Sequence, residues 1–367
     1  MFYEKIIRPI LFLFNPETIH NLTFSLLTIF NKSKSLNHLV FKFCNYTSPR
    51  LKQKLFGLYF RNPIGLTAGL DKNAKLSLVW GAFNFGWAQL GSVTYQAQTG
   101  NAKPRLWRLV KDKGLLVYYG LSNIGANAVA EKIKKDQAKF KKKGLWSISI
   151  AKSNEAALEN AAADYEKSFQ ILEPYAEIIT INLSCPNVAN FCGLQEASLL
   201  EPILAKITEI NKNHKPLWLK IGNDLNQKEL DDLIYLVKKY KIDAIVATNL
   251  AKNRERLTLL SEHKNKPGGV SGQPIAEQAN KIIAYLYKNS ENKYKIIGVG
   301  GVFSGQDAYD KIKAGANLVQ IGTGFIYGGP LSVKKINREL DQLLIKNNFK
   351  HLNQAVGLEA EKYQLND

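Results

Sequence analysis

Cysteine is scarce in this chain of 367 residues: Cys44, Cys185 and Cys192 are the only three. Their odd number and the lack of any C-x-x-C pair support neither a disulfide framework nor a cysteine zinc site, and a reducing compartment fits best. No metal-ligand cluster of another kind is apparent. Long apolar runs are missing too. Residues 1–30 are rich in apolar and aromatic side chains, but Asn15-Pro16-Glu17-Thr18 and His20-Asn21 interrupt them, so nothing reaches the ~20 residues of a spanning helix. Glu4 and the absence of a small-residue cleavage pattern make a signal peptide a poor fit. Acidic residues are in deficit, 31 against 50 Lys+Arg, which leaves a net charge of +19. The excess is spread along the chain, and runs such as Lys141-Lys142-Lys143 at the end of an amphipathic helical pattern read as a solvated face. No DNA or RNA recognition motif is present. With 45% hydrophobic and 22% charged residues, the composition is that of a folded globular protein.

The first forty residues predict two short helices, the second starting near Asn15 with Pro16 in its first turn. Residues 1–60 carry eight Lys/Arg and two acids, and the helices have more apolar surface than one core-facing stripe needs. That pattern suits either a helical pair resting on an anionic membrane surface or one packed against the main body.

From residue 62 onward, short β-favouring runs alternate with helical periods. The expected strands are 62–68, 86–92, 145–150, 178–183, 217–221, 243–248, 296–300 and 318–321, with helices over 160–172, 199–212, 227–240, 274–288 and 306–314. Eight strand–helix units in about 270 residues predict an α/β fold, a closed (β/α)8 barrel with a small N-terminal helical domain. A doubly wound open sheet is the rival, but its Gly-rich fingerprint does not follow the first strand, where the chain reads Thr67-Ala68-Gly69-Leu70-Asp71-Lys72.

Barrel chemistry sits at the C-terminal strand ends. Two neighbouring Gly-rich turns there, Gly298-Val299-Gly300-Gly301 and Gly322-Thr323-Gly324, expose backbone N–H groups suited to a phosphate. Asn182, Asn187 and Asn249 supply donors and acceptors for a planar, amide-rich or carboxylate-bearing ligand. Lys72 suits a substrate carboxylate and Lys220 an electron-rich cofactor ring. Cys185, on a strand-end loop, is either a general base or an inert buried thiol, and its place between two of these asparagines favours the base.

These residues, taken in order with Asn15 to His20, Asn62 to Lys72, Lys103 to Leu109, Gly268 to Pro274 and Ile296 to Gly301, resemble the dihydroorotate dehydrogenases, in particular their quinone-using, membrane-associated class 2. The likeness covers nearly the whole chain. It implies FMN in the barrel mouth, held by Ala68, Gly69, Lys72, Ser92, Ser149, Asn182, Lys220, Thr248, Gly272, Gly300, Gly301, Gly322 and Thr323. It implies dihydroorotate held by Lys72, Asn123, Asn182, Asn187 and Asn249, with Cys185 as the base. It further implies a tunnel for ubiquinone or menaquinone under the N-terminal helices, with His20 and Arg108 at its inner end.

By the same resemblance, residues 1–40 form the membrane-associating and tunnel segment and 41–367 the FMN barrel of a peripheral enzyme of pyrimidine synthesis on the cytoplasmic face of the cell membrane. The sequence departs from the class 2 pattern at Cys185, where Ser is usual, and at Leu121 and Val188, which are similar to the soluble class 1. Val117 and Leu250 replace polar substrate ligands, Ser149 replaces an Asn and Gly322 a Tyr. Val117 and Leu250 raise a second possibility, a flavin oxidoreductase of the same fold acting on a more apolar ene substrate. A non-enzymatic basic surface protein is the third.

Overall fold

The computed structural model describes residues 2–139, 145–183 and 196–365. Eight parallel strands close into a barrel in chain order: Ile64–Leu66, Trp87–Val93, Trp146–Ile150, Ile178–Asn182, Leu217–Lys220, Ala244–Ala247, Lys295–Val299 and Leu318–Ile321. The eighth pairs with the first, Val319 facing Ile64 and Ile321 facing Leu66, so the barrel closes and the open-sheet alternative falls. Every expected strand is present within a few residues of its expected limits. The runs read as continuously apolar because a parallel barrel strand is covered on both faces, by its helix outside and by side chains from facing strands inside. The expected helices form as Ala161–Leu172, Ala197–Ile210, Gln227–Lys239, Ala276–Lys288 and Gly305–Lys313.

An antiparallel hairpin, Gln53–Leu55 with Leu58–Phe60, lies at the barrel's N-terminal end. Its Phe56 packs on Trp218 and its Phe60 on Trp87, and these two indoles meet edge to face with centroids 5.0 Å apart. Deeper in the barrel, buried polar side chains form a linked layer. Gln89 donates to Thr180 Oγ1 at 2.5 Å, Ser147 and Thr180 share a bond of 2.8 Å, and Gln320 donates to Gln89 Oε1 at 3.0 Å.

Two elements depart from the sequence expectation. Leu106–Leu109, Gly114–Val117 and Gly269–Gly272 form a three-stranded antiparallel sheet outside the barrel, from four-residue segments too short to show an alternation pattern. The N-terminal region contains more helix than the expected pair. A helical stretch over Tyr3–Phe12 is followed by Pro16–Lys32 and by a further helix, Lys34–Cys44, which crosses residue 40. The second helix starts as its sequence dictates: Asn15 Oδ1 caps the N–H groups of Glu17 and Thr18, and Pro16 occupies the first turn, where no N–H is needed. Ser33 caps the extra helix through Leu36 N. Among the described residues no helix is long and apolar enough to cross a membrane.

Candidate active site

A cavity of about 1300 Å³, its open mouth included, occupies the C-terminal end of the barrel between the strand ends, the antiparallel sheet and the N-terminal helices. Fourteen of the sequence-predicted residues line it: His20, Ala68, Gly69, Lys72, Ser92, Asn182, Lys220, Thr248, Asn249, Gly272, Gly300, Gly301, Gly322 and Thr323. Cys185 and Asn187, and with them Val188, lie outside the described residues. So do Cys192 and Lys141 to Lys143.

Three predicted residues do not line the cavity. Asn123 is buried and its amide is fully used in holding its own loop: Nδ2 donates to Thr94 Oγ1 and Leu121 O, and Oδ1 accepts from Thr94 N and Gly125 N. With two donors and two acceptors all engaged, it has nothing left for a ligand. Ser149 sits behind the wall, its hydroxyl 2.7 Å from that of Ser92, which in turn accepts from Asn182 Nδ2 at 2.9 Å. Ser149 thus orients Asn182 through Ser92. Arg108 donates to the carbonyls of Phe12 and Phe14 at 3.2 and 2.7 Å and lies over the Phe12 ring, tying the chain between the first two helices to the antiparallel sheet.

The two glycine turns meet. A Cβ on Gly324 would run into the Val302 carbonyl oxygen, and one on Gly301, at φ +74°, into Ala276. Thr323 and Gly324 open a short helix whose first N–H groups have no intrahelical acceptor, and Thr323 Oγ1 is fixed by Ser271 Oγ at 2.8 Å. Opposite them, Gly69 at φ +99° has nothing within 4 Å of where a Cβ would project, so its backbone faces the cavity directly. Lys220 Nζ is 3.5 Å from Thr67 Oγ1, and Thr248 Oγ1 accepts from Asn223 Nδ2 at 2.8 Å.

Sequence patterning missed Gln320. It lies on the eighth strand, lines the cavity, and its buried Oε1 is left without a donor among the described residues. Such an orphaned acceptor calls for a ligand or water donor. A Gln inside the otherwise apolar Leu318–Ile321 is the signal that would have found it.

Charge in the site follows burial. Lys72 is lowered to about 8, mainly by desolvation and then by neighbouring Arg105, while Glu17 and Asp71 pull it back up. Asp71 itself accepts from Lys75 N, Leu76 N and Trp80 Nε1, and burial raises its carboxyl. His20, stacked on Phe24 with centroids 4.2 Å apart, is lowered to about 3 by burial and by Lys72 and Lys75, and is neutral at physiological pH. The side of the cavity under the N-terminal helices is apolar, with Leu106, Leu115, Val117 and Ile326 in its wall; Leu250 adds a further apolar contact beside Asn249.

A closed (β/α)8 barrel with touching glycine turns on its last two strands, and lysines lining the cavity near the ends of the first and fifth, has the architecture of a barrel enzyme, in which such turns commonly hold a phosphate. The family description "Dihydroorotate dehydrogenase" matches residues 50–344, and the chain belongs to the dihydroorotate dehydrogenase family, whose members are flavin-dependent. It is 37% identical over 370 residues to the dihydroorotate dehydrogenase (quinone) of Nostoc punctiforme, covering 98% of each chain. It is 40% identical over 342 residues to that of Christiangramia forsetii, covering 92% of this chain and 98% of the relative. Among solved structures, the Eimeria tenella enzyme in complex with ferulenol superposes with a TM-score of 0.84 at 27% identity, covering 94% of this chain and 96% of the other.

Proposed function

We propose that this chain oxidises dihydroorotate to orotate and delivers the electrons to a membrane quinone, ubiquinone or menaquinone, in pyrimidine synthesis. The observation that carries the reading is a single cavity with two characters: a polar floor at the strand ends and an apolar vault under the N-terminal helices. Its relatives are quinone-linked dihydroorotate dehydrogenases along nearly their full length. That relation favours this reading over an oxidoreductase for another ene substrate and over a non-enzymatic surface protein.

The cofactor that fits is FMN. Its phosphate would lie on Gly300, Gly301, Gly322 and Thr323, and its ring against Ala68 and Gly69, near Lys220, Thr248 and Gln320. When bound, FMN supplies the two-electron acceptor that links the substrate's C–H bond to the quinone. The protein's own share is recognition and proton handling. The Lys72 ammonium balances the substrate carboxylate, and Asn182, Asn187 and Asn249 bond its amide edge. Val117 and Leu250 leave part of the wall apolar, so polar recognition rests on those four side chains. The Cys185 thiolate takes the proton from the carbon beside the carbonyl while the adjacent carbon gives up hydride. The neutral His20 and the aliphatic wall receive the quinone ring.

The N-terminal helices present Phe2, Ile6, Ile10, Leu13, Phe14 and Leu26 to solvent, among an excess of basic residues. This surface suits docking on an anionic bilayer, as a peripheral protein on the cytoplasmic face. Mixing the purified yellow protein with dihydroorotate without oxygen tests the reading. The flavin band bleaches and long-chain quinone restores it; a band unmoved by dihydroorotate overturns the assignment. Cys185→Ala keeps the yellow colour and loses bleaching, whereas unchanged bleaching removes the thiol from the chemistry.

A further inference from the structure

Tyr119, in the connection that follows the strand Gly114–Val117, carries two cations over one ring. Lys72 Nζ is 3.7 Å from its centroid and the Arg105 guanidinium carbon 4.9 Å. Arg105 is in turn fixed by Glu17 Oε1, which accepts from Nε at 3.1 Å and from Nη2 at 2.9 Å, and by the carbonyls of Thr99 and Asn101. Glu17 belongs to the second N-terminal helix and is itself buried. A continuous line of contacts therefore runs from that helix through Arg105 and Tyr119 to Lys72.

We infer that Tyr119 is a positioning residue for substrate binding: its ring face holds the Lys72 ammonium at the cavity wall, and the Glu17–Arg105 pair locks the ring's surroundings, so the N-terminal helix buttresses the substrate site as well as the apolar vault. The inference rests on the proposed role of Lys72. A flexible lysine stem left without the ring samples several rotamers, and the cost of ordering it then falls on substrate binding. The aromatic face is the active ingredient, since a cation is attracted by the ring quadrupole whether or not the ring has a hydroxyl.

The test is anaerobic stopped-flow bleaching of the full-length holoenzyme over a range of dihydroorotate concentrations, which separates substrate affinity from the limiting rate. Tyr119→Leu weakens dihydroorotate affinity about tenfold while the limiting rate holds, and Tyr119→Phe restores native affinity. Glu17→Gln weakens affinity in the same direction by a smaller factor. Native affinity in Tyr119→Leu, or equal losses in the Leu and Phe variants, overturns the inference. Lys72→Ala separates the two levels: if it leaves dihydroorotate affinity intact, the role of Lys72 itself fails. If it abolishes affinity while Tyr119→Leu does not, only the buttress fails.

Discussion

Gly324 lies against the carbonyl oxygen of Val302, so that the turns ending the seventh and eighth barrel strands are in direct contact. This contact sets the spacing of the N–H groups that face the proposed phosphate. A methyl group at Gly324 forces the turns apart, an overpacking that costs about 1–3 kcal/mol. Gly324→Ala is therefore expected to weaken FMN binding by about tenfold or more. Fluorescence titration of the flavin-stripped protein measures the loss, and an unchanged far-ultraviolet circular dichroism spectrum localises it to the turn.

Asn31 joins the N-terminal helices to the barrel. Its Oδ1 accepts from Leu78 N at 3.0 Å and its Nδ2 donates to Asp136 Oδ2 at 3.4 Å, where Ser77 Oγ also donates at 2.8 Å. The bonds to Asp136 are buried and the one from Leu78 N is partly so. Asn31→Ala leaves the Leu78 N–H without its acceptor and removes a donor from a carboxylate, which costs about 1–3 kcal/mol. Urea unfolding should show a lower midpoint with an unchanged slope. Asn31→Asp is expected to be worse, because it places a second carboxylate beside Asp136.

How far the sequence could be read depends on which signal each residue leaves. Barrel strands are legible because both faces are covered, and the apolar run ends where the chain turns into the polar cavity. Asn182, Lys220 and Thr248 were legible as active-site candidates from their place at those ends. Position alone does not say where a side chain goes. Ser149 lies on a barrel strand and Asn123 in the loop before residue 126, yet the first sits behind Ser92 and the second is consumed by its own loop. Gln320 and Tyr119 went unread for the opposite reason. Gln320 is one polar residue in a strand that looks like core, and Tyr119 is an aromatic whose neighbours Lys72 and Arg105 lie 47 and 14 positions away, so only the fold brings the three together.

The exposed apolar face of the first two helices bears on membrane docking. Leu13 and Leu26 are 83% and 54% exposed, a cost in water that docking on lipid recovers. Each leucine transferred fully is worth about 1.5–3 kcal/mol. The double variant Leu13→Glu/Leu26→Glu adds two charges that anionic lipid repels. It is expected to lose cosedimentation with anionic vesicles while dihydroorotate still bleaches its flavin. Vesicle binding equal to wild type would mean that this face is not the docking surface.

His20 gives the N-terminal segment a pH dependence whose sign is fixed by its surroundings. Burial, and then the positive charges of Lys72 and Lys75, hold it at about 3, against an ordinary value of 6.5. The folded state thus keeps the ring neutral over a range in which the unfolded chain protonates it. Above about pH 6.5 the ring is neutral in both states and the segment has its full stability. As the pH falls from there towards 3, the unfolded state gains the proton and stability drops, by at most about 1.4 kcal/mol per pH unit from this one group. Below about 3 both states are protonated and the loss stops growing. His20→Phe preserves the stacking on Phe24 and removes the titrating group. Its urea midpoint should therefore fall less than that of the wild type between pH 6.5 and 5, although carboxylates elsewhere titrate alike in both proteins. Parallel midpoint curves for the two would mean that the His20 ring is hydrated enough to accept a proton where it stands, and that the vault it lines is wet.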